Sequence, residues 1–204
     1  MRTHLFISTG LTGKLKGIDA LSVSAYNPVC DKLALDPTLV CHQCYARQYE
    51  SFRPIVHAAY EDNTELLTGS FLADAELPTI NAPVFRFHAF GEIINTTHYV
   101  NLRRIAGRNP ETTFALWSKR DIASWGYQRK PNLIHVTSSP VIGQRRTDST
   151  IAPIDAPFYD YEFTVYRTMA DVPDDAFLCH GKTCLDCMHC YQKGNTYHVA
   201  ELLK

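Results

Sequence analysis

Seven cysteines are the residues with the clearest chemistry in this chain, at positions 30, 41, 44, 179, 184, 187 and 190. They form two tight groups at opposite ends, with none between Cys44 and Cys179. The count is odd, and Met1 to Gly10 has neither a long apolar core nor a small-residue cleavage site of the kind that marks a secretory leader. Disulfide frameworks need pairs and an oxidising compartment, so the pattern points to metal ligands. The C-terminal run is Cys179-x4-Cys184-x2-Cys187-x2-Cys190. Steps of three let one tight loop wrap a single centre, the spacing that ferredoxins use to seat a [4Fe–4S] cluster. The x3-Cys-Pro continuation of that run is missing, and Cys179 is the candidate fourth ligand. Zinc is the rival: it prefers two separated pairs, and His180 and His189 are further candidate ligands for it.

The N-terminal group is Cys30-x10-Cys41-x2-Cys44, with His42 inside it. Three thiolates are an incomplete set for a four-iron cluster. They either leave one iron open to an outside ligand or join a thiolate from the other end in a shared site. The simpler alternative makes Cys30 a core thiol and leaves Cys41 and Cys44 as the working pair.

The elements that must position these groups follow from periodicity and breakers. Leu5 to Ser8 and Leu21 to Ala25 read as strands. Gly10-Leu-Thr-Gly13-Lys14 lacks the glycine spacing and the Ser/Thr of a phosphate loop and reads as a turn. Residues 45–72 are helical, divided at Pro54, which has no amide hydrogen to continue the ladder. Val84 to Phe90, Thr113 to Ser118 and Leu133 to Thr137 read as strands. A helix from Asn95 to Ala106 and a short one at Asp121 lie between them. That alternation predicts an α/β fold with right-handed βα units and a parallel sheet. Residues 140–175 read as irregular with one or two edge strands such as Tyr161 to Tyr166, and Tyr191 to Lys204 as a short helix. The chain divides as one domain: 1–44 with the first cysteine group, 45–139 as the βα core, and 140–204 as an irregular segment ending in a cysteine-rich loop.

Ligands of a parallel sheet sit beyond the carboxyl ends of its strands. The polar residues at those ends are His88 with Gly91 and Glu92, Ser118 with Lys119 and Arg120, and Ser138 with Ser139. They are the candidate substrate or cofactor contacts. His88 is equally readable as a hydrogen-bonded core histidine, Glu92 as a helix-capping residue, and Gln144-Arg145-Arg146 as a solvated basic patch. No residue is singled out as catalytic.

Composition bounds the rest. The 204 residues are 45% hydrophobic and carry 20 basic and 21 acidic side chains, net -1. That is enough for one core without disulfides, and it gives no general attraction for nucleic acid. The apolar runs fall short of a membrane span. A cytoplasmic protein is expected, acting on a small molecule or a reductant.

Four segments in order resemble a known family. They are Tyr26-Asn-Pro-Val-Cys30 with Cys41-x2-Cys44-Tyr45-Ala46; Phe87-His88-Ala-Phe-Gly91-Glu92 with His98-Tyr99-Val100; Ala115 to Arg120; and Cys184-x2-Cys187-x2-Cys190-Tyr191. Together they resemble the bacteriophage "gene product eighty-eight" family of radical-SAM-like proteins, across most of residues 20–192. The resemblance implies a virus-encoded iron–sulfur protein in the cytoplasm of an infected bacterial host, on a reduced, partial-barrel βα scaffold. It implies one or two [4Fe–4S] clusters, S-adenosylmethionine at an open iron, and Gly91-Glu92 as a shortened version of the segment that grips its amine. The first cysteine gap, ten residues, is longer than the three of the radical-SAM signature. Two other functions stand beside radical-SAM enzymology: an iron–sulfur electron-transfer or sensing protein, and a zinc-stabilised viral binding protein.

Overall fold

The computed structural model describes residues 4–146, 158–179, 181–193 and 197–203. Its strands are β1 (Ile7–Ser8), β2 (Asp19–Leu21), β3 (Val84–Phe87), β4 (Thr113–Ser118), β5 (Leu133–Ser138), β6 (Tyr161–Tyr166), β7 (Phe177–Leu178) and β8 (Tyr197–Leu202). The helices are α1 (Pro28–Ala34), α2 (Tyr45–Ser51), α3 (Pro54–Gly69), α4 (Thr96–Arg108) and α5 (Cys184–Cys187). One sheet holds all eight strands in the order β1-β2-β3-β4-β5-β6-β8-β7. Every pairing is parallel except β1 with β2.

Local chemistry sets the helix boundaries. Asn27 caps α1, its side chain accepting from the amides of Val29 and Cys30, and Pro28 occupies the first turn where no amide donor is needed. Pro54 does the same for α3 and separates it from α2. Asn95 caps α4, accepting from His98 N at 2.8 Å.

The strand order advances steadily from β2 to β6. Right-handed crossovers between strands laid down in one direction fall on the same face. On that face Phe85, Phe87, Phe114, Leu116 and Leu133 pack against Tyr99, Leu102 and Ile105 of α4. The alternate residues Val84, Ala115, Ile134, Val136 and Val199 face the other way, where no long helix covers them. Their cover is the connection between β7 and β8, through Tyr191, Met188, Cys179, Cys184 and Cys190, together with Ile18. Strands buried on both faces explain the near-continuous apolar runs in the sequence. No helix among the described residues is long and apolar enough to cross a membrane.

Several expectations change. The tail is strand β8, not a helix: Tyr197 to Leu202 pairs with β6 on one side and β7 on the other. Tyr161 to Tyr166 is interior, between β5 and β8, rather than an edge. Residues 140–204 therefore supply three strands of the sheet instead of an irregular appendage; the stretch 147–157 lies outside the described residues. Strand β2 ends at Leu21, where the sequence reading had it begin. The basic patch is not solvated: Arg146 is 1% exposed, and Arg145 pairs with Glu162 and Asp175. In each case burial by a partner distant in sequence decides the outcome, and local pattern carries no record of that partner.

Candidate functional site

The N-terminal cysteines hang from the carboxyl end of β2. Beyond Leu21 the chain runs through Ser24 and Ala25, which the buried Glu50 of α2 holds. Its carboxylate accepts from Ala25 N at 2.7 Å and Ser24 Oγ at 2.9 Å, and contacts His57 Nδ1 at 3.0 Å. Asn27 follows, and α1 carries Cys30. A 3-10 turn over Val40–Gln43 carries Cys41, and Cys44 stands immediately before α2.

Two strand ends deliver the polar groups to these thiols. Glu92, beyond β3, is buried. Its Oε1 accepts from Ser118 Oγ at 2.6 Å and Ile93 N at 2.7 Å, and its Oε2 from Lys119 N at 2.7 Å. Buried Arg146 donates to the Lys119 carbonyl and to Ser138 O. The backbone of Lys119 is thus held at its amide and at its carbonyl. Burial opposes charge on the Lys119 ammonium, but its pKa is still raised, through Cys41, Glu92, Cys30 and Cys44. The converse holds at the thiols. Burial, with Glu92 adding, pushes Cys30 up to about 12 against the Asn27 hydrogen bond and the Lys119 charge. Cys41 is raised by burial, with Lys119 opposing.

The C-terminal group is built on the uncovered sheet face. Cys179 follows β7, with its amide on Ala200 O at 2.7 Å. Lys14, from a 3-10 turn over Gly13–Leu15, donates to Cys179 Sγ at 3.2 Å, Cys179 O at 3.1 Å and Glu201 Oε1 at 2.7 Å. Thr183 caps α5, which spans Cys184 to Cys187. Met188, at φ 54°, then turns the chain back so that Cys190 lies in the next 3-10 turn. Burial pushes Cys190 up to about 12, with Arg86 opposing. The Arg86 guanidinium lies 3.2 Å over the Trp117 ring, and Trp117 meets Tyr191 at 6.1 Å between centroids.

Cys30 and Cys41 are each acted on by Cys44 of their own group, and Cys184 and Cys190 by Cys179 and Cys187 of theirs. Tyr45, the residue after Cys44, is 68% exposed and donates through its hydroxyl to Ala89 O at 3.1 Å. All seven cysteines are free and partly exposed. Among the described residues no three His, Cys, Asp or Glu side chains converge on one point as ligands of a single ion.

The remaining candidates from the sequence fall as follows. His88, at φ 59°, is buried with its Nε2 3.2 Å from His98 Nε2. Burial, His98 and Arg86 all push it well below the usual histidine range. It is a paired core histidine, the simpler of the two readings. Gly91, at φ 81°, is required by close approach: a Cβ there would stand 2.5 Å from Val23 O. Ser118 serves Glu92, and Ser138 is buried with its carbonyl facing Arg146. His42 contacts Ala34 O through Nδ1, and His189 stacks on Phe177 at 3.8 Å. His180 lies outside the described residues.

Sequence reasoning missed Asn27, Arg86 and Arg146. Asn-Pro directly before Cys30 is a legible cap signature. A lone arginine within Val84-Phe85-Arg86-Phe87 is the signal that would have found Arg86, because an apolar strand keeps a charge only for a partner. Arg146 offers no such signal. No protein family, curated protein or solved structure matches the chain.

Proposed function

We propose that this chain is an iron–sulfur protein on a radical-SAM-type α/β scaffold, with two separate cysteine sites, and that the three-thiol site takes S-adenosylmethionine. The bacteriophage "gene product eighty-eight" family is the family we assign it to. The observation that carries this reading is that Cys30, Cys41 and Cys44 all lie near enough to Lys119 to raise its pKa, beyond the carboxyl ends of neighbouring parallel strands. The single helical face and the steady strand order support a partial barrel, in which such strand ends open onto one site.

The donor set fits the group. Three soft thiolates suit iron–sulfur ligation, and fixed cations beside them offset the charge of a thiolate-ligated cluster. A four-iron cluster held by three thiolates keeps one iron for an external ligand and supplies an electron to it. Lys119 is placed to pair with a carboxylate on that ligand. Glu92, whose two oxygens are already engaged by Ile93, Ser118 and Lys119, aims the lysine. Four C-terminal thiols would make a complete set with no open position, which suits electron transfer or structural pinning. Iron–sulfur chemistry is the first reading and a zinc-stabilised binding protein the second, favoured only by the histidines near the C-terminal group.

Anaerobic purification separates them. The reading expects a brown protein absorbing near ~400 nm with iron and sulfide in equal amounts, since zinc is d10 and colourless. S-adenosylmethionine should change the EPR spectrum of the reduced protein. A colourless, zinc-loaded protein ends the iron reading. Iron without any response to S-adenosylmethionine leaves an electron-transfer or sensing protein.

A further inference from the structure

Asn27 is 2% exposed, and all four hydrogen-bonding positions of its amide are used. Oδ1 accepts from Val29 N and Cys30 N, each at 3.0 Å. Nδ2 donates to Ser24 O at 2.7 Å and to Cys30 Sγ at 3.2 Å. Two backbone donors on one side fix which end is oxygen, so the amide orientation is determined by the network rather than by choice. Ser24, which accepts one of the two Nδ2 hydrogens, is itself pinned through its hydroxyl by Glu50, and Glu50 also takes the next amide, Ala25 N. The result is a chain of buried bonds from α2 to a single sulfur. Among the described residues the cysteine sulfur to which the Asn27 amide donates is that of Cys30.

We infer that Asn27 is a positioning residue for the three-thiol site: it fixes the Cys30 sulfur and donates a hydrogen bond to it, raising the reduction potential of the group bound there. The inference rests on the iron–sulfur reading. An N–H directed at a ligating sulfur stabilises the more negative, reduced state, which is one of the levers by which a protein sets cluster potential. A helix cap alone would not need the second half of the amide. Aspartate or serine caps as well as asparagine does, and neither can donate to Ser24 O and Cys30 Sγ together.

The test is an EPR-monitored redox titration of the signal that S-adenosylmethionine perturbs, in the anaerobic full-length protein and in Asn27→Ser and Asn27→Asp. Serine keeps the cap and loses the donor. Aspartate keeps the shape and puts an acceptor against the sulfur. Both midpoints should move negative at unchanged iron content, with aspartate moving further. Unmoved midpoints in two fully loaded variants overturn the role of Asn27 and leave the cluster reading standing. A wild-type protein that binds no iron overturns the cluster reading itself, and this inference with it.

Discussion

Glu92 accepts the backbone amide of Lys119 through Oε2 at 2.7 Å, so the carboxylate fixes the main chain that carries a neighbouring cation. Its Oε1 is occupied by Ser118 Oγ and Ile93 N. Glu92→Gln turns one acceptor into a donor, and that donor must face an N–H or the Ser118 hydroxyl. A buried donor left without its acceptor costs about 1–3 kcal/mol. The variant should melt at lower denaturant concentration and bind S-adenosylmethionine more weakly, with iron content retained. Urea titration and equilibrium binding read the two effects; an unchanged midpoint would remove Glu92 from this role.

Arg146 holds the other side of the same lysine, through its carbonyl, while lying near the carboxylates of Glu92, Asp121 and Glu162. Burial lowers its pKa from the usual arginine value. Arg146→Met keeps the length and apolar stem but leaves the carbonyls of Lys119 and Ser138 without this donor. A loss of roughly 3 kcal/mol is expected, the scale for breaking a buried charged network. A conservative Arg146→Lys should recover only part of it, because an ammonium cannot reproduce the planar fork. Thermal melts of the two variants check this. Stability equal to wild type in Arg146→Met would show the buried guanidinium to be dispensable.

The contrast between Arg146 and Asn95 shows what a sequence carries. Asn95, ahead of an apolar-periodic run, states its own role, because capping is local to one turn. Pro54 and the strands Thr113–Ser118 and Leu133–Ser138 are legible for the same reason. Arg146 sits in a run that reads as solvent-facing, and only Lys119 and Ser138, brought over by the sheet, explain it. The tail is a strand because β6 and β7 offer edges on both sides, a non-local pairing that local propensity does not encode. At the candidate site the cysteine spacing is visible in the sequence, and so is the strand-end position of Glu92 and Lys119. The hydrogen bonds by which Glu92 holds Ile93, Ser118 and Lys119 appear only in three dimensions.

Stability should fall in mild acid. His98 is pushed down to about 3 by burial, His135 to about 3 by burial together with Arg129, Lys193 and Arg103, and His88 well below its ordinary value. His98 accepts from Ile94 N at Nδ1, so its one proton sits on Nε2 and faces His88. These folded-state values lie below the unfolded value of about 6.5. The unfolded chain therefore binds more protons below that pH, and stability that is full above about 6.5 is lost as the pH falls toward the folded values. The slope is about 1.4 kcal/mol per pH unit for each histidine that stays neutral. Urea midpoints should drop between pH 7 and pH 5, and His98→Gln should flatten that drop. Equal wild-type midpoints at the two pH values would contradict the buried, neutral assignment.

Cys187→Ser should cost more than metal. The connection between β7 and β8 covers much of one face of the sheet, and among its described residues the regular structure is α5 and a 3-10 turn. Metal binding at an assembled site contributes its free energy to folding, so losing it should loosen that cover from Trp117, Ile134 and Val136. Limited proteolysis should then cut after about residue 140 while the α3–α4 side stays intact. Full metal content with a native melting profile would rule out Cys187 as a ligand.

Cys44→Ser decides whether there are two sites. Cys44 acts on Cys30, Cys41 and Lys119, whereas Cys184 and Cys190 are acted on by Arg86 and by the other C-terminal thiols. Serine is nearly isosteric with cysteine but a poor ligand for iron, so the substitution should empty the three-thiol site and little else. Iron and sulfide per chain should fall by about half, the response to S-adenosylmethionine should vanish, and the melting profile should stay close to wild type. A C-terminal site independent of Cys44 would keep its metal in that variant, so the cover that is expected to loosen in Cys187→Ser should hold here. Should Cys44→Ser strip all iron at once, the seven thiols serve one shared centre, and the two-site reading falls.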